Sequence, residues 1–206
     1  MLERVLKAIA QDARETRQRI VAAAFETLRA SGFAGTSARS IARTGGFSQA
    51  LIFYHFGSVN DLLLAALDMS SERRMTRYRQ ALADVDDLPH LFDAAASLYR
   101  EDAERGHTTV LAELFAAGLA VPALAAQLKV RMEPWISFTE ELMRRFLGRL
   151  PLRGTLNVRA AAEATLAMYL GIDLLVHADG DWSRVDSMFE EVRRMGAAFQ
   201  PLVEDT

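Results

Sequence analysis

Apolar residues recur along this chain with the period of an α-helix rather than the alternation of a strand. Val21, Ala24, Phe25 and Leu28 stand at i, i+3, i+4 and i+7, and Val185, Met188, Phe189, Val192, Met195 and Phe199 continue the spacing near the other end. Both segments predict amphipathic helices. Ala, Leu, Arg and Glu dominate and long β-branched runs are missing, so helix propensity is high almost throughout and no strand is expected. Glycine, serine and proline then set the boundaries. Ser31-Gly32 closes a first helix, Gly45-Gly46 separates two short ones, and Phe56-Gly57-Ser58 precedes a long fourth helix running to about Gln80. Breaks at 84–88, 105–106, 121–122, 150–157 and 178–181 delimit five more, for a total of nine. Pro134 falls inside one long stretch, where its missing N–H and its ring predict a kink or a break. The expectation is an all-α chain in two parts, a three-helix head at 1–60 and a helical body at 61–206.

Charge location changes this picture more than composition does. The net charge is −3, yet residues 1–60 carry eight basic side chains (Arg4, Lys7, Arg14, Arg17, Arg19, Arg29, Arg39, Arg43) against four acidic ones (Glu3, Asp12, Glu15, Glu26), a balance of +4 that leaves −7 on the remainder. A basic end on an acidic body suits a protein that brings only one end to phosphates. The absence of cysteine excludes disulfides, thiolate metal sites and cysteine nucleophiles, and agrees with a reducing, cytoplasmic setting. Glu3, Arg4 and Lys7 interrupt the opening apolar residues, so no signal peptide is read there. Longer apolar runs are broken by charges well short of the roughly 20 residues that span a bilayer, so a soluble protein without a membrane partner is expected.

Between 37 and 56 a short helix, a three-residue turn and a second short helix follow in the manner of a helix-turn-helix. Ile41 and Ala42 supply packing. Thr36 or Ser37 can cap the first helix, with no Glu or Gln three residues on to complete a capping box, and Ser48 is expected to cap the second. Gly45 and Gly46 permit the tight turn. By helical spacing Ile52, His55 and Phe56 share one face of the second helix, and Gln49, Ala50, Phe53 and Tyr54 share the other. On a face that enters a major groove, Gln49 can pair with adenine through two hydrogen bonds and the small Ala50 permits close approach. Phe53 or Tyr54 then meets a thymine methyl or a phosphate. A merely solvated face is the competing reading, and the Phe-Tyr pair speaks against it.

At these residues the sequence resembles the TetR family of repressors. The pattern is matched by 20–25 (IVAAAF), Gly32-Phe33, 36–42 (TSARSIA), Gly46-Phe47-Ser48, 53–56 (FYHF) and Asp61-Leu62-Leu63, in order and at the right spacings. The resemblance implies a three-helix DNA-binding head, a long fourth helix joining it to a divergent ligand-binding body, and a homodimer built mainly from the last two helices. It also implies that Arg39 reaches a base or phosphate, that Gln49, Ala50 and Phe53 face bases, and that Ser37, Tyr54 and His55 steady the DNA backbone. Thr36 and Ser48 complete this set at the starts of the two short helices. The chain departs from the family where Leu51 replaces a frequent small hydroxyl residue and Gly57 and Val59 replace frequent lysines. Phosphate anchoring is expected to be weaker there, with Arg14, Arg17, Arg39 and Arg43 as possible replacements.

The body is read for partners and effector. Ala160, Ala161, Ala162, Ala164, Ala167 and Gly171 let another helix approach closely, and with the apolar stripe of the last helix they supply a dimer face. Phe92, Tyr99, Phe115, Trp135, Phe138 and Tyr169 are candidates to line a pocket, against the commoner reading of such residues as plain core. Few buried charges are expected, so the effector is read as largely apolar or aromatic. Asp173 and His177, one turn apart, can serve an enzyme as acid-base partners or metal ligands, but a histidine set against a helix C-terminus and paired with that carboxylate is the simpler reading. With no HExxH, no phosphate-cradling glycine loop and no nucleophile elbow, no catalytic residue, metal or cofactor is expected. The expected partners are operator duplex DNA, a small effector and a second copy of the chain. A helical interaction module that has lost DNA binding is the alternative.

Overall fold

The computed structural model describes residues 1–147 and 156–204. Among the described residues it holds no strand and nine helices: α1 (Leu2–Ser31), α2 (Ala38–Gly45), α3 (Gln49–Phe56), α4 (Val59–Ala81), α5 (Leu88–Glu104), α6 (His107–Ala120), α7 (Pro122–Leu147), α8 (Val158–Asp179) and α9 (Ser183–Glu204). Most of the expected boundary at 150–157 lies outside the described residues, as does the Phe199 side chain. The helices divide into two units, Met1–Glu72 with Glu113–Leu128, and Arg73–Ala112 with Lys129–Thr206.

In the first unit α1 packs along α2, and α2 against α3. Ile20 and Leu28 of α1, Ile41 of α2, Ile52 of α3 and Leu62 of α4 are all fully buried. Each such side chain contributes about 1.5–3 kcal/mol on leaving water, so one or two anchors per helix suffice to fix these short elements. The Thr27 hydroxyl donates to the Ala23 carbonyl at 2.7 Å and to the Thr44 hydroxyl at 2.9 Å, tying α1 to α2. The missing Glu of the capping box is replaced by a serine. Ser40 N–H donates to the Ser37 hydroxyl, and the Ser40 hydroxyl accepts from Ser37 N–H at 2.8 Å. At Gly57, with φ of 76°, the chain leaves α3 and enters α4 at 73° to it.

In the second unit α5 lies along α9, and α8 also touches α9. Three apolar clusters fill it: Leu82, Leu98, Trp135 and Phe138; Leu88 with Phe146; and Tyr99 with Val176 and Val185. Gly196 has no room for a side chain, since a Cβ there would stand 2.6 Å from the Phe92 ring. Asp87 caps α5 and Asn157 caps α8 through their side-chain oxygens. Three expectations need correction. Helix α7 continues from Pro122 to Leu147 through Pro134, so the expected break does not occur, and Trp135 and Phe138 just beyond the proline are buried. Arg74, Asp102 and Asp173 are buried, so the interior of this unit is far from charge-free. Helix α8 is, by length and composition, apolar enough to cross a membrane, because its charged residues are few and widely spaced.

Candidate functional site

The head presents one exposed helical face. Ser37 holds the start of α2, and Gly46, with φ of 69°, reverses the chain after it. Gly45 is required as well, since an added Cβ would sit 2.0 Å from the Phe47 ring. Phe47 and Ser48 complete the turn into α3. On α3 the spacing holds: Ile52 is buried, His55 and Phe56 are half-buried, and Gln49 and Ala50 are exposed. Phe53 is 51% and Tyr54 83% exposed. Two aromatic rings held in water beside a glutamine are costly unless something covers them.

The neighbours of this face are polar or cationic. Arg39 and Arg43 are exposed on α2. A shallow groove lined by Arg43, Gly46, Phe47, Ser48 and Gln49 separates that helix from the start of α3. Arg17 of α1 lays its guanidinium 4.6 Å from the centre of the Phe56 ring, and the Tyr54 and His55 rings meet edge-on at 5.0 Å. Ser48 occupies the cap position of α3, but its hydroxyl makes no capping bond, contrary to expectation: the backbone there takes the cap geometry while the side chain stays exposed. Thr36 donates to the Gly32 carbonyl at 2.7 Å and Ser37 is engaged in the capping box, so both act first on the protein's own backbone. Glu113 of α6 was not legible from the sequence. Its carboxylate accepts from Phe33 N–H at 2.7 Å across 80 positions, bracing the loop between α1 and α2, and no local pattern marks such a pair.

Inside the second unit the structure gathers a polar group that the sequence did not announce. Arg74 of α4 donates to Asp102 of α5 at 2.5 Å and to the Tyr169 hydroxyl of α8 at 2.8 Å. Its guanidinium lies 4.9 Å from the centre of the Trp135 ring. Arg77 also pairs with Asp102, and the Tyr78 hydroxyl donates to the same carboxylate at 3.0 Å. Tyr99 donates to one oxygen of Asp173, whose other oxygen is buried without a partner among the described residues. Burial raises the Asp173 carboxyl to about 6, against the pull of the Tyr99 hydrogen bond and Arg74. Burial also lowers His107 to about 4, helped by the nearby Arg74. His177 bonds the Asp173 backbone carbonyl at 2.9 Å rather than its carboxylate, because that carboxylate turns inward to Tyr99.

The six aromatic candidates fall into separate packing groups. Trp135 and Phe138 share a cluster with Tyr78, and Tyr99 and Tyr169 pack with Phe189. Phe92 lies against Leu88 and Phe146, while Phe115 belongs to the first unit. No group of three or more His, Cys, Asp or Glu side chains fit for a metal occurs among the described residues.

The comparisons with known proteins agree with the head's geometry. Residues 20–66 match the family described as bacterial regulatory proteins, tetR family. The transcriptional regulator UidR of Escherichia coli is 25% identical over 184 residues, which cover 89% of this chain and 92% of UidR. Salmonella enterica GusR superposes with a TM-score of 0.70 at 23% identity, covering 91% of this chain and 96% of GusR. A regulator from Saccharomonospora viridis, solved in complex with choline, gives 0.72 at 21% identity, covering 88% and 95%. The matched relatives are transcriptional regulators, not enzymes. With the helix-turn-helix in its head matched over residues 20–66 and relatives aligned along nine-tenths of its length, this chain is similar to DNA-binding transcriptional regulators of the TetR family.

Proposed function

We propose that the protein is a cytoplasmic, effector-released repressor that binds a palindromic operator as a homodimer. The observation that carries this reading is the α3 face, where Gln49, Ala50, Phe53 and Tyr54 stand in water on a helix anchored from behind by Ile52. In a major groove Gln49 reads adenine, Phe53 covers a thymine methyl, and Tyr54, His55 and Ser37 contact the phosphate backbone. Arg17, Arg39, Arg43 and the Ser48 hydroxyl take over the anchoring that lysines supply elsewhere in the family. A 1–60 head and a 61–206 body remain the functional division.

The dimer reading is supported by α8, α9 and the turn between them, where Met168, Leu174, Leu175, Trp182 and Met195 are all 45–52% exposed. A second copy covering this face explains both its apolarity and the membrane-like composition of α8. Such a dimer would set its two reading helices about 34–36 Å apart, on successive major-groove faces. An effector in the body releases DNA if it binds the DNA-incompetent arrangement better, with couplings of about 1–3 kcal/mol. The regulator solved with choline makes a small polar effector a reasonable model. A mobility-shift titration on the DNA upstream of the protein's own gene tests the proposal: one retarded complex, weakening steeply with salt, supports it, and no retardation at low salt overturns it.

A further inference from the structure

Helix α1 is longer than the packing of the head requires. Val21, Ala24 and Leu28 form the buried stripe that holds it in the head, but from Ala10 to Arg19 every residue except Thr16 is exposed. Continued toward the N-terminus at the same spacing, that stripe carries Arg17, Arg14 and Ala10, so a face that is apolar inside the head turns cationic where it leaves it. No acidic residue falls on the stripe between Ala10 and Leu28. By helical spacing Asp12 and Glu15 lie on other sides, and Gln11 holds Glu15 at 2.8 Å. Neither Arg14 nor Arg17 meets a carboxylate among the described residues, whereas Arg29, at the other end of the same helix, pairs with Glu26 at 2.7 Å. Arg17 instead stacks on Phe56, the last residue of α3, with its guanidinium 4.6 Å from the ring centre. Stacking orients the guanidinium and leaves N–H donors at its edge for a phosphate. Through Phe56, His55 and Tyr54, ring contacts join Arg17 to the exposed face of α3.

We infer that Arg14 and Arg17 carry α1 onto the phosphates of duplex DNA that flanks the base pairs read by α3. Charge and continuity identify the occupant. A duplex presents one negative charge per about 1.7 Å of its axis, so with α3 in a major groove a phosphate strand passes its C-terminal end, where Phe56 holds Arg17. Arg14 stands about 4.5 Å further out along α1, away from the packed part of the head. Gly57 and Val59 leave the start of α4 without cations, and α1 supplies the charge that this edge lacks. Such contacts reach no base, so they lengthen the footprint without adding sequence preference. The inference rests on the operator-binding reading above and extends it to DNA that α3 does not touch.

The test is fluorescence anisotropy of the full chain on the shortest upstream duplex that the unaltered protein still retards, and on the same core lengthened at each end by roughly one helical turn, about ten base pairs, in either of two unrelated sequences. The unaltered protein should bind both lengthened duplexes equally and about tenfold or more tighter than the core. The double variant Arg14→Gln with Arg17→Gln should erase that gain and, in a dimer, flatten the slope of log affinity against log salt on the lengthened duplexes by about 3–4. Arg29→Gln, at the paired end of the helix, should leave the gain intact, and Tm should stay unchanged in both variants because the side chains are exposed. No gain from the added turns, a gain that depends on their sequence, or a gain that survives the double variant overturns the inference. A changed oligomeric state in sizing chromatography with the gain intact also overturns it, and gives the face to a second copy of the chain. If the unaltered protein binds the core but gains nothing from its flanks, only this inference falls; if it binds no duplex at low salt, the regulator reading beneath it falls as well.

Discussion

The two units keep their polar groups in opposite places. In the first, the caps and turns of the head are closed by polar contacts short in sequence and near the surface, as in Ser37 with Ser40, Ser58 with Asp61, and Thr36 with Gly32, with Glu113 on Phe33 as a long-range addition. In the second, Arg74 reaches Asp102 across 28 positions and Tyr169 across 95, and Tyr99 reaches Asp173 across 74, all in the interior. The head is thus a locally specified frame that turns its chemistry outward. The body turns its chemistry inward, at a cost in desolvation that only close pairing offsets.

The largest effect expected from this contrast is at Asp102. Asp102→Ala strands Arg74 as an uncompensated buried cation and should cost about 3–5 kcal/mol in urea denaturation, whereas Arg74→Met with Asp102→Leu should cost far less. A double variant as unstable as the single one would mean that the pair contributes more than its packing.

Asp173 comes next. Its carboxyl titrates near 6 when folded, above its ordinary 3.8, so the folded state holds this proton more tightly than the unfolded chain. Its contribution is therefore fully present below about pH 4 and lost as pH rises to about 6. Asp173→Asn should flatten that part of the stability-against-pH curve; an unchanged curve would show that the carboxyl is not buried in solution.

In the head, Ser37→Ala should remove one cap of α2 and lower stability by about 1 kcal/mol, read as a fall in the urea midpoint at unchanged slope. Smallest of all, Glu133→Gln breaks an exposed pair with Arg159 and should leave the urea midpoint almost unchanged. If Glu133 mattered as much as Asp102, the contrast between inward and outward chemistry would lose its energetic meaning.

The same contrast explains what the sequence disclosed. The helix order, the α3 faces and the turn at Gly45-Gly46 follow from spacings of three or four residues and from glycine's freedom, both visible in one strand of text. The serine that stands in for glutamate in the capping box was missed because its side chain is shorter than the usual partner. Glu113 on Phe33 and the Arg74, Asp102 and Tyr169 group were missed because nothing near those residues in sequence signals a partner tens of positions away. Aromatic content flagged Tyr99 and Tyr169 without revealing that their hydroxyls, more than their rings, distinguish the site.

The most direct test of the central claim is fluorescence anisotropy of the Gln49→Ala variant on the upstream duplex and on a scrambled one. The account predicts a loss of about 1–3 kcal/mol on the upstream duplex and almost none on the scrambled one, with Tm unchanged. Equal losses on both, or no binding to either duplex by the unaltered protein at low salt, would contradict it.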